Sequence, residues 1–572
     1  MLLSNLDLLA TAPGGVARLR ELILTLAVQG KLVPQDPADE PASVLLQKIR
    51  AEKDRLLAEG KSKRDKPLAE IAEEEKPFAL PEGWEWVRLF ELLPDFQNGA
   101  SSRGDVGGRP VTVLRLADIK NRRISLNDTR QIPIAESDIR KYQLREGDIL
   151  ITRVNGSADI VGQFNLCDTA VDAIYCDHFI RMRVSAQWVE PTFLTLLSES
   201  SLMRQRVKEL FITTAGQKTV NQGHIGSLRF ALPPLAEQSR IVTRVEELMR
   251  LCDALEAKGQ LQATQHAQLV STLLATLTDS ETPAQLAENW QRIATHFDLL
   301  LDRPQAVDAL EQTILQLAVR GQLVPQDPHD EPAIVLLQKI RAEKDKLILE
   351  GKIKRDKPLP PIAEDEQPFA LPPGWGWSPM GELVNRSEAG WSPTCVGSPR
   401  RSGYWGVLKV SAVSWGAFDA NANKELPTDL VPRPEYEVQD GDFLLSRANT
   451  EELVARSVVV NTAEPQLMLS DKIIRLDVAS LMNRDFLNLC NNAKYARAHY
   501  IANASGTSSS MKNVSREVVL RTPVPVPPLA EQSRIVTRVT QLRRLCADLR
   551  QRLAASQSTQ ALLAEALVQE EA

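Results

Sequence analysis

The sequence lacks any long uninterrupted hydrophobic run. No stretch approaches the roughly 18 consecutive apolar residues that a membrane-spanning helix needs. The first residues, MLLSNLDLLATAPGG, also lack the basic segment that a secretory signal would carry. We therefore expect a cytoplasmic protein.

Paired cysteines and clustered histidines are missing too. None of the six cysteines belongs to a Cys-x-x-Cys pair, and the six histidines include no His-Glu-x-x-His motif. These absences argue against a zinc ribbon, a disulfide framework or another metal site. We expect free thiols that pack as small hydrophobic side chains.

Motifs for catalysis are also absent. No Pro-Pro pair has the Asn or Asp before it and the aromatic residue after it that mark adenine methyltransferases. The tripeptide Gly60-Lys61-Ser62 resembles the end of a phosphate-binding loop, but Arg55 occupies a position that requires glycine. The sequence therefore predicts a chain that is not an enzyme.

Positive charge is not in excess, since the formal net charge is −6. Non-specific affinity for DNA comes from Lys and Arg side chains that neutralise phosphates. A DNA-binding protein of this composition must concentrate its positive charge locally or take it from a partner.

What the sequence does contain is an internal repeat of two large modules. The block LAVQGKLVPQDPADEPASVLLQKIRAEKD from Leu26 returns with few changes from Leu317, and PPLAEQSRIVTRV from Pro233 returns unchanged from Pro527. A period of about 290 residues is far longer than the 20–50 residues of solenoid repeats. The pattern indicates a tandem duplication.

The shared blocks predict a helical frame. Leu19–Val28 and Val44–Leu57 have helical periodicity, and so do their counterparts in the second copy, Leu310–Val319 and Val335–Leu349. Gly60 and Gly351 follow the second helix of each pair, as glycine often follows a helix end.

A longer helix follows each Pro-Pro break. Apolar residues recur at heptad spacing from Ile241 to Leu255 and from Ile535 to Leu553, which favours paired, coiled-coil-like helices. A helix over 236–277 would be about 60 Å long, enough to hold two reading domains at most about 18 base pairs apart. One alternative stays open, that the seam packs on a globular core. A separate hypothesis is that the N-terminal block packs on the C-terminal helix, which would give the molecule a two-fold pseudo-symmetry.

The segments between the shared blocks differ in sequence. Short alternating runs, such as VLKVSAV, DILITRV and DFLLSRA, predict strands, and the patterns over 191–210 and 483–500 predict helices. A thin skeleton recurs, including Gly147-Asp148 matched by Gly441-Asp442. We predict two α+β domains that share a fold and differ in surface.

These variable segments carry nearly balanced charge, 19 basic against 17 acidic residues in 84–233 and 16 against 16 in 375–527. Segments without excess positive charge are not suited to binding DNA through phosphates along their whole surface. Individual side chains can still recognise bases, since Arg binds guanine and Asn or Gln binds adenine. Lys and backbone N–H groups in polar loops can reach phosphate. The candidate DNA-binding residues are Arg153, Asn155, Gln163, Gln217, Lys218 and Thr219 in the first copy, and Arg447, Asn449, Arg456, Ser509 and Lys512 in the second. For any single residue, an ordinary surface role is the alternative, and the recurrence in both copies is the stronger argument.

Taken together, these features resemble the specificity subunits of type I restriction–modification enzymes. Leu-Pro-x-Gly-Trp-x-Trp blocks at Leu80–Trp86 and Leu371–Trp377 open the variable segments, and Pro-Pro-Leu-Ala-Glu-Gln-x-x-Ile-Val blocks at Pro233–Val242 and Pro527–Val536 close them. The resemblance covers essentially the whole chain. It implies that each variable segment is a target-recognition domain for one half of an interrupted, asymmetric site in double-stranded DNA.

The resemblance also assigns parts to partners. It implies that the helices set the spacer length and dock two modification subunits, which bind S-adenosylmethionine and methylate adenine. Restriction subunits would add translocation and cleavage with ATP and Mg²⁺. No cofactor is expected on this chain.

The resulting fold prediction is α+β, with two mixed α/β target-recognition domains separated and joined by long antiparallel helices and related by an internal repeat. The predicted segments are 1–83 (N-terminal helical region), 84–233 (first recognition domain), 234–371 (central helical spacer), 372–527 (second recognition domain) and 528–572 (C-terminal helix pairing with the N-terminal region).

A different function stays open, a helical scaffold whose variable domains bind proteins without reading bases. A sequence-specific DNA-binding protein would distinguish the correct base pair from a wrong one by about 1–3 kcal/mol at each position that it recognises. A scaffold would bind DNA only through salt-sensitive contacts that do not depend on sequence.

Overall fold

A computed structural model describes residues 6–60, 70–101, 108–120, 122–127, 129–214, 216–355, 357–506 and 511–571. By its internal contacts the chain divides into two compact units. The first comprises the described residues up to Gln262 together with those from Ser556 onward, and the second comprises Ala263–Ala555. Two long helices cross these boundaries, so each contributes one end to each unit.

The first unit combines helices with short strands. Its helices are α1 (Leu6–Thr11), α2 (Gly15–Val28), α3 (Ala42–Ala58), α4 (Glu136–Tyr142), α5 (Pro191–Glu199), α6 (Ser201–Glu209), α7 (Gln222–Gly226) and the first part of α8 (Leu235–Thr278). Its strands are β1 (Glu85–Arg88), β2 (Asp95–Asn98), β3 (Arg109–Leu114), β4 (Ile119–Lys120), β5 (Arg123–Ile124), β6 (Arg130–Ile134), β7 (Ile149–Thr152), β8 (Val154–Asn155), β9 (Phe164–Leu166), β10 (Ala173–Tyr175), β11 (Phe179–Arg183), β12 (Ile212–Thr214), β13 (Gln217–Thr219) and β14 (Arg229–Leu232).

The variable segment of the first unit begins and ends at one place. β1 pairs with β14 in antiparallel register, with Trp86 opposite Ala231. Between them lie a four-stranded sheet in the order β2-β11-β7-β9 and a three-stranded sheet in the order β10-β3-β6. Because entry and exit strands pair, the intervening sequence can vary while both ends stay attached to the same helical frame.

The second unit has the same plan. Its helices are α9 (Pro283–Thr295), α10 (Phe297–Leu300), α11 (Pro304–Val319), α12 (Ala333–Leu349), α13 (Arg484–Asn492), α14 (Lys494–Asn503), α15 (Arg516–Arg521) and the first part of α16 (Leu529–Glu571). Its strands are β15 (Gly376–Pro379), β16 (Val384–Ala389), β17 (Gly406–Leu408), β18 (Asn423–Glu425), β19 (Phe443–Ser446), β20 (Ala448–Asn449), β21 (Ser457–Val459), β22 (Leu467–Met468), β23 (Ile473–Val478), β24 (Lys512–Asn513) and β25 (Pro523–Val526).

Strand order agrees between the two units. β15 pairs with β25, the four-stranded sheet runs β16-β23-β19-β21, and a smaller sheet runs β18-β17-β22. In both smaller sheets one outer strand is parallel to the central strand and the other is antiparallel. Two sequences with few letters in common thus form sheets of the same topology, since the alternation of buried and exposed residues matters more than their identity.

The predicted long helix is a single element, because α8 continues for 44 residues through Gly259. The seam residues Ile241, Val245 and Cys252 are buried in the same hydrophobic cluster as residues of α2 and α3. Over this stretch the seam therefore packs on the core of its own unit. The coiled-coil-like pairing of long helices stays a prediction.

Two predictions of local structure were wrong in detail. In the run VLKVSAV only its first residues belong to a strand (Gly406–Leu408), and Val410–Val413 forms a 3-10 turn. The helical patterns over 191–210 and 483–500 each form two helices, because Ser200 and Ala493 adopt extended backbone angles. The Ser200 hydroxyl accepts a hydrogen bond from the Met203 amide and so caps the second helix.

The glycines predicted after two helices and the predicted free cysteines are both present. Gly60 and Gly351 follow α3 and α12 with φ of 67° and 71°, a left-handed conformation in which glycine carries no Cβ penalty. All six cysteines are free, and four are buried. Burial raises the pKa of the Cys167 thiol to about 11, so this thiol stays protonated near neutral pH.

The first unit also contains residues from both ends of the chain. Leu9 and Ala12 share a small buried cluster with Ala564 on α16. The Arg18 guanidinium donates to the Ala561 carbonyl at 2.6 Å and to Glu565 at 3.1 Å. The N-terminal helices therefore pack directly on the end of α16.

Among the described residues, no helix is both long and apolar enough to span a membrane.

Candidate nucleic-acid interface

A buried carboxylate fastens the variable segment of the first unit to the long helix that follows it. Glu237, in the first turn of α8, accepts hydrogen bonds from Trp84 Nε1 at 3.0 Å and Gln35 Nε2 at 3.1 Å. Burial raises the pKa of Glu237 above its ordinary value, and the two donors only partly offset this effect. The second unit repeats the arrangement with Glu531, Trp375 and Gln326.

On this frame, five of the six first-copy candidates come together. Asn155 on β8 lies opposite Lys218 on β13, and Val154 lies opposite Thr219. Gln217 begins β13, next to Gly216, at the tip of the β12–β13 hairpin. Arg153 precedes β8 and donates from Nη1 to the Asp177 carbonyl at 3.2 Å. These residues therefore lie close together on adjoining strands, a region that we name the first polar surface (Arg153, Asn155 and Gln217–Thr219).

The second unit has an equivalent arrangement, the second polar surface (Arg447, Asn449 and Lys512). Asn449 on β20 lies opposite Lys512 on β24, as Asn155 lies opposite Lys218. The Val514 amide donates to the Arg447 carbonyl at 3.0 Å, as the Val220 amide donates to the Arg153 carbonyl at 2.9 Å. The backbone of the site is thus the same in both units.

Three candidates do not join these surfaces in the part of the chain that the structure describes. Gln163 directs its amide to the Asp159 carbonyl at 2.7 Å, which closes the turn after β8. Arg456 lies close to Arg497, and burial together with the Arg456 charge lowers the pKa of Arg497 to about 10. Ser509 lies outside the described residues, as does the basic run Lys61–Lys66.

The two polar surfaces differ in the groups that remain available. Asn155 Oδ1 accepts from the Ser157 amide at 2.9 Å, and its amide nitrogen has no partner among the described residues. Asn449 is engaged at both ends, by Ser414 and by the Thr450 amide. Arg447 is exposed, and its guanidinium has no hydrogen-bond or ion-pair partner in the described part of the chain. The first surface therefore offers a free amide and the second a free guanidinium.

The recurring Gly-Asp skeleton has a structural role. Asp148 is fully buried and receives Arg183 Nε and Nη2 at 2.6 and 2.7 Å. In the second unit Asp442 pairs with Arg475 at 3.1 Å, and the same guanidinium also contacts Glu388. These ion pairs tie neighbouring strands of the four-stranded sheets and so position the residues that follow β7 and β19.

Sequence reasoning missed two groups beside the polar surfaces. Trp415 is 72% exposed and follows Ser414, which Asn449 contacts. A single aromatic residue in a turn has no periodicity, so only its polar surroundings could have drawn attention to it. Next to Arg153, the consecutive residues Cys176–His178 bring three potential ligand atoms within 4.8 Å of one another.

Comparison with known proteins shows the family to which the chain belongs. Residues 81–265 match the family model of the type I restriction modification DNA specificity domain. The chain is 40% identical over 562 residues to the type I restriction enzyme EcoEI specificity subunit of Escherichia coli, with 97% of this chain and 93% of that protein covered. It is 35% identical over 577 residues to the EcoAI specificity subunit of Escherichia coli, with the same coverage. The chain belongs to the family of type I restriction enzyme specificity subunits.

A solved structure of the type I R-M system contains a similar chain. The identity is 18%, the matched region covers 86% of this chain and 99% of that one, and the TM-score is 0.49.

Proposed function

We propose that this chain supplies DNA sequence recognition to a type I restriction–modification complex. Each polar surface reads one part of a two-part site in double-stranded DNA. The chain itself is not catalytic. Modification subunits carry S-adenosylmethionine-dependent methylation of adenine N6, and restriction subunits carry cleavage that needs ATP and Mg²⁺.

The observation that carries this proposal is the repeated juxtaposition of an amide and a cation on matching backbones. Asn155 opposite Lys218 puts a base-reading amide beside a phosphate-neutralising lysine. Asn449 lies opposite Lys512 in the same way, and there the base-reading group that stays free is the guanidinium of Arg447. The frame that holds them is nearly identical in the two units, whereas the neighbouring side chains differ. Such a design keeps the mode of docking constant and changes the sequence that is read.

The available groups support an asymmetric target. The carboxamide of Asn155, whose amide nitrogen is free and whose Oδ1 already accepts from the Ser157 amide, is the group type that matches the N6 and N7 edge of adenine. The free guanidinium of Arg447 matches O6 and N7 of guanine. Two half-sites read by different chemistry are different in sequence.

Equivalent positions on the long helices support docking of two copies of one partner. Leu251 on α8 and Leu545 on α16 occupy matching places in the repeat and are 60% and 62% exposed. A single exposed leucine is ordinary, but its recurrence at the same frame position gives two like contact points. We assign them to the two modification subunits.

The test is to co-express this chain with a modification subunit from the same operon and to map adenine methylation by long-read sequencing. We expect one asymmetric two-part motif that disappears when this chain is omitted. Replacing residues 84–233 with the corresponding segment of another specificity subunit should change one half of the motif only.

Methylation that persists without this chain would contradict the proposal and favour a scaffold without base readout. For docking, L251E and L545E should each weaken capture of one modification subunit in native mass spectrometry. The matched control is L349E, because Leu349 is 86% exposed and its counterpart in the first copy is Ala58. Equal effects of all three variants would overturn the docking assignment.

A further inference from the structure

Some contacts between the helical frame and its long helix are the same in both units. Arg240 on α8 donates to Asp39 at 2.5 Å, and Arg534 on α16 donates to Asp330 at the same distance. The buried glutamates of the first helical turns also make matching contacts. Taken alone, these contacts allow the frame of either half to accept the long helix of the other.

A few turns further along, the charges are reversed. In the first unit Arg20 on α2 contacts Asp253 at 2.6 Å and Glu256 at 2.8 Å on α8. The frame helix carries the positive charge here, and the long helix carries the negative charges.

The second unit has the opposite arrangement. Asp308 and Glu311 on α11 carry the negative charges, and Arg543 and Arg550 on α16 carry the positive ones. Arg550 Nε lies 2.6 Å from Asp308, and Arg543 Nε lies 3.0 Å from Glu311.

The reversal occurs at equivalent positions of the repeat. Counting along the duplicated blocks, Arg20 corresponds to Glu311, and Glu256 corresponds to Arg550. Pairing α2 with α16 would place Arg20 against Arg550, and pairing α11 with α8 would place Glu311 against Glu256. Every crossed pairing therefore replaces attraction with repulsion.

We propose that this charge reversal is a pairing code that keeps each helical frame on the N-terminal part of the long helix of its own half. Tandem repeats of similar sequence tend to misassemble by exchanging equivalent elements between copies or between chains. Like charges placed in the wrong combinations disfavour such exchange, which is how helical partners are commonly discriminated. The partner that this surface rejects is a second copy of the same chain.

A second difference lies at the far end of α16, where the long helix of the second half meets the frame of the first half. The pair Arg18–Glu565, which joins α2 to the end of α16, has no charged counterpart in the other half, where Ala309 and Ser271 stand at the equivalent positions. The two halves are therefore not interchangeable at this contact either.

Three full-length proteins test the code. The first is the natural chain. The second, R20E, places like charges against each other in the first unit. The third, the uniform-code protein, carries the charges of the second half in both halves. Its five substitutions put the second-half residues at the equivalent first-half positions: A17D, R20E, M249R, D253A and E256R. K258E is the matched control for charge, because Lys258 is exposed on α8 and has no partner among the described residues.

Each protein is refolded from urea over a range of concentrations, and the dimer fraction is measured by native mass spectrometry. We expect the natural chain and K258E to be monomeric. R20E should lower the midpoint of thermal unfolding and raise the dimer fraction. The uniform-code protein should recover that midpoint, yet give about tenfold more dimer than the natural chain, since about 1.4 kcal/mol of lost discrimination is tenfold in an equilibrium constant. Refolding the natural chain in 1 M NaCl should raise its dimer fraction, because salt screens exposed charges.

The uniform-code protein separates the proposal from simple stabilisation by surface ion pairs. If it is as stable and as monomeric as the natural chain, the reversed charges do not discriminate between halves and the proposal is wrong. If R20E and K258E behave alike, the contact with α8 has no role in pairing.

Discussion

Asn155 faces Lys218 across two short antiparallel strands, β8 and β13, that follow different parts of the first variable segment. The amide and the cation are 63 positions apart in sequence and are brought together only by this pairing. Any change that shifts the β8–β13 register by one residue would turn one of the two to the opposite face. The polar surface therefore depends on the strand register as much as on its side chains.

The free groups on the two surfaces predict different single-residue effects. N155A should relax recognition at an adenine in one half-site, and R447A should relax recognition at a guanine in the other. Each loss should be about 1–3 kcal/mol of discrimination, the value of one bidentate base contact. Methylation of sites with one base pair substituted measures this effect, and the unaffected half of the motif is the internal control. Equal loss in both halves from either variant would contradict the assignment.

The two lysines predict a loss that does not depend on sequence. K218A and K512A should each weaken binding to specific and non-specific DNA alike. Each should reduce the slope of log K against log salt by about 0.9, the value for one phosphate contact. Binding titrations of the assembled complex between 50 and 200 mM salt are the measurement. K48A is the control, because Lys48 lies on α3 of the helical frame, outside both polar surfaces, where it pairs with Glu40 at 2.7 Å. It should leave the slope unchanged.

The buried glutamates predict a pH dependence of stability. Burial raises the pKa of Glu237 and of Glu531 above the ordinary 4.5, so the folded chain holds these protons more tightly than the unfolded chain. Their contribution to stability is therefore complete below pH 4.5 and is lost as the pH rises through the raised values. Urea midpoints of the natural chain and of E237Q/E531Q should converge at low pH and diverge as the pH rises to 7, with the natural chain falling relative to the variant. Parallel profiles would show that these carboxyls do not titrate in this way.

Removing the partner of a buried carboxylate should destabilise the first unit. R183A leaves Asp148, which is fully buried, with one remaining hydrogen bond from the Arg145 amide. We expect a loss of about 3 kcal/mol in the free energy of unfolding, since an unpaired buried charge is expensive. R244A removes a half-exposed ion pair with Glu247 and should cost about 0.5 kcal/mol. Urea unfolding compares the two variants, and a cost for R183A no larger than that for R244A would rule out the structural role of the pair.

The helical frame could be predicted from sequence because its signals are local. Heptad spacing from Ile241 onward, the Pro-Pro break before it and the glycines after α3 and α12 each act within a few residues. The breaks at Ser200 and Ala493 were missed because both residues are compatible with a helix, and tertiary packing decides between one helix and two. The 3-10 turn at Val410–Val413 was missed because a short alternating run fits a strand equally well.

The candidate site could be predicted from the sequence only where its residues recur in both copies of the repeat. Arg153, Asn155 and Lys218 have counterparts at one constant spacing, which marked them without any knowledge of the strand pairing. Gln163 was placed with them only because it follows the same strand, and the turn at Gly162 carries its amide toward Asp159 instead. Trp415 has no counterpart in the first copy, so repetition could not reveal it.

The last turns of α16 complete the first unit, and this has a consequence for synthesis on the ribosome. Leu9 and Ala12 are covered by Ala564, which emerges more than 500 residues later. At about 5–20 residues per second, the span from Gln262 to Ser556 alone takes on the order of 15–60 s to translate. During that interval the nascent first unit keeps an apolar surface open that only the final helix can close.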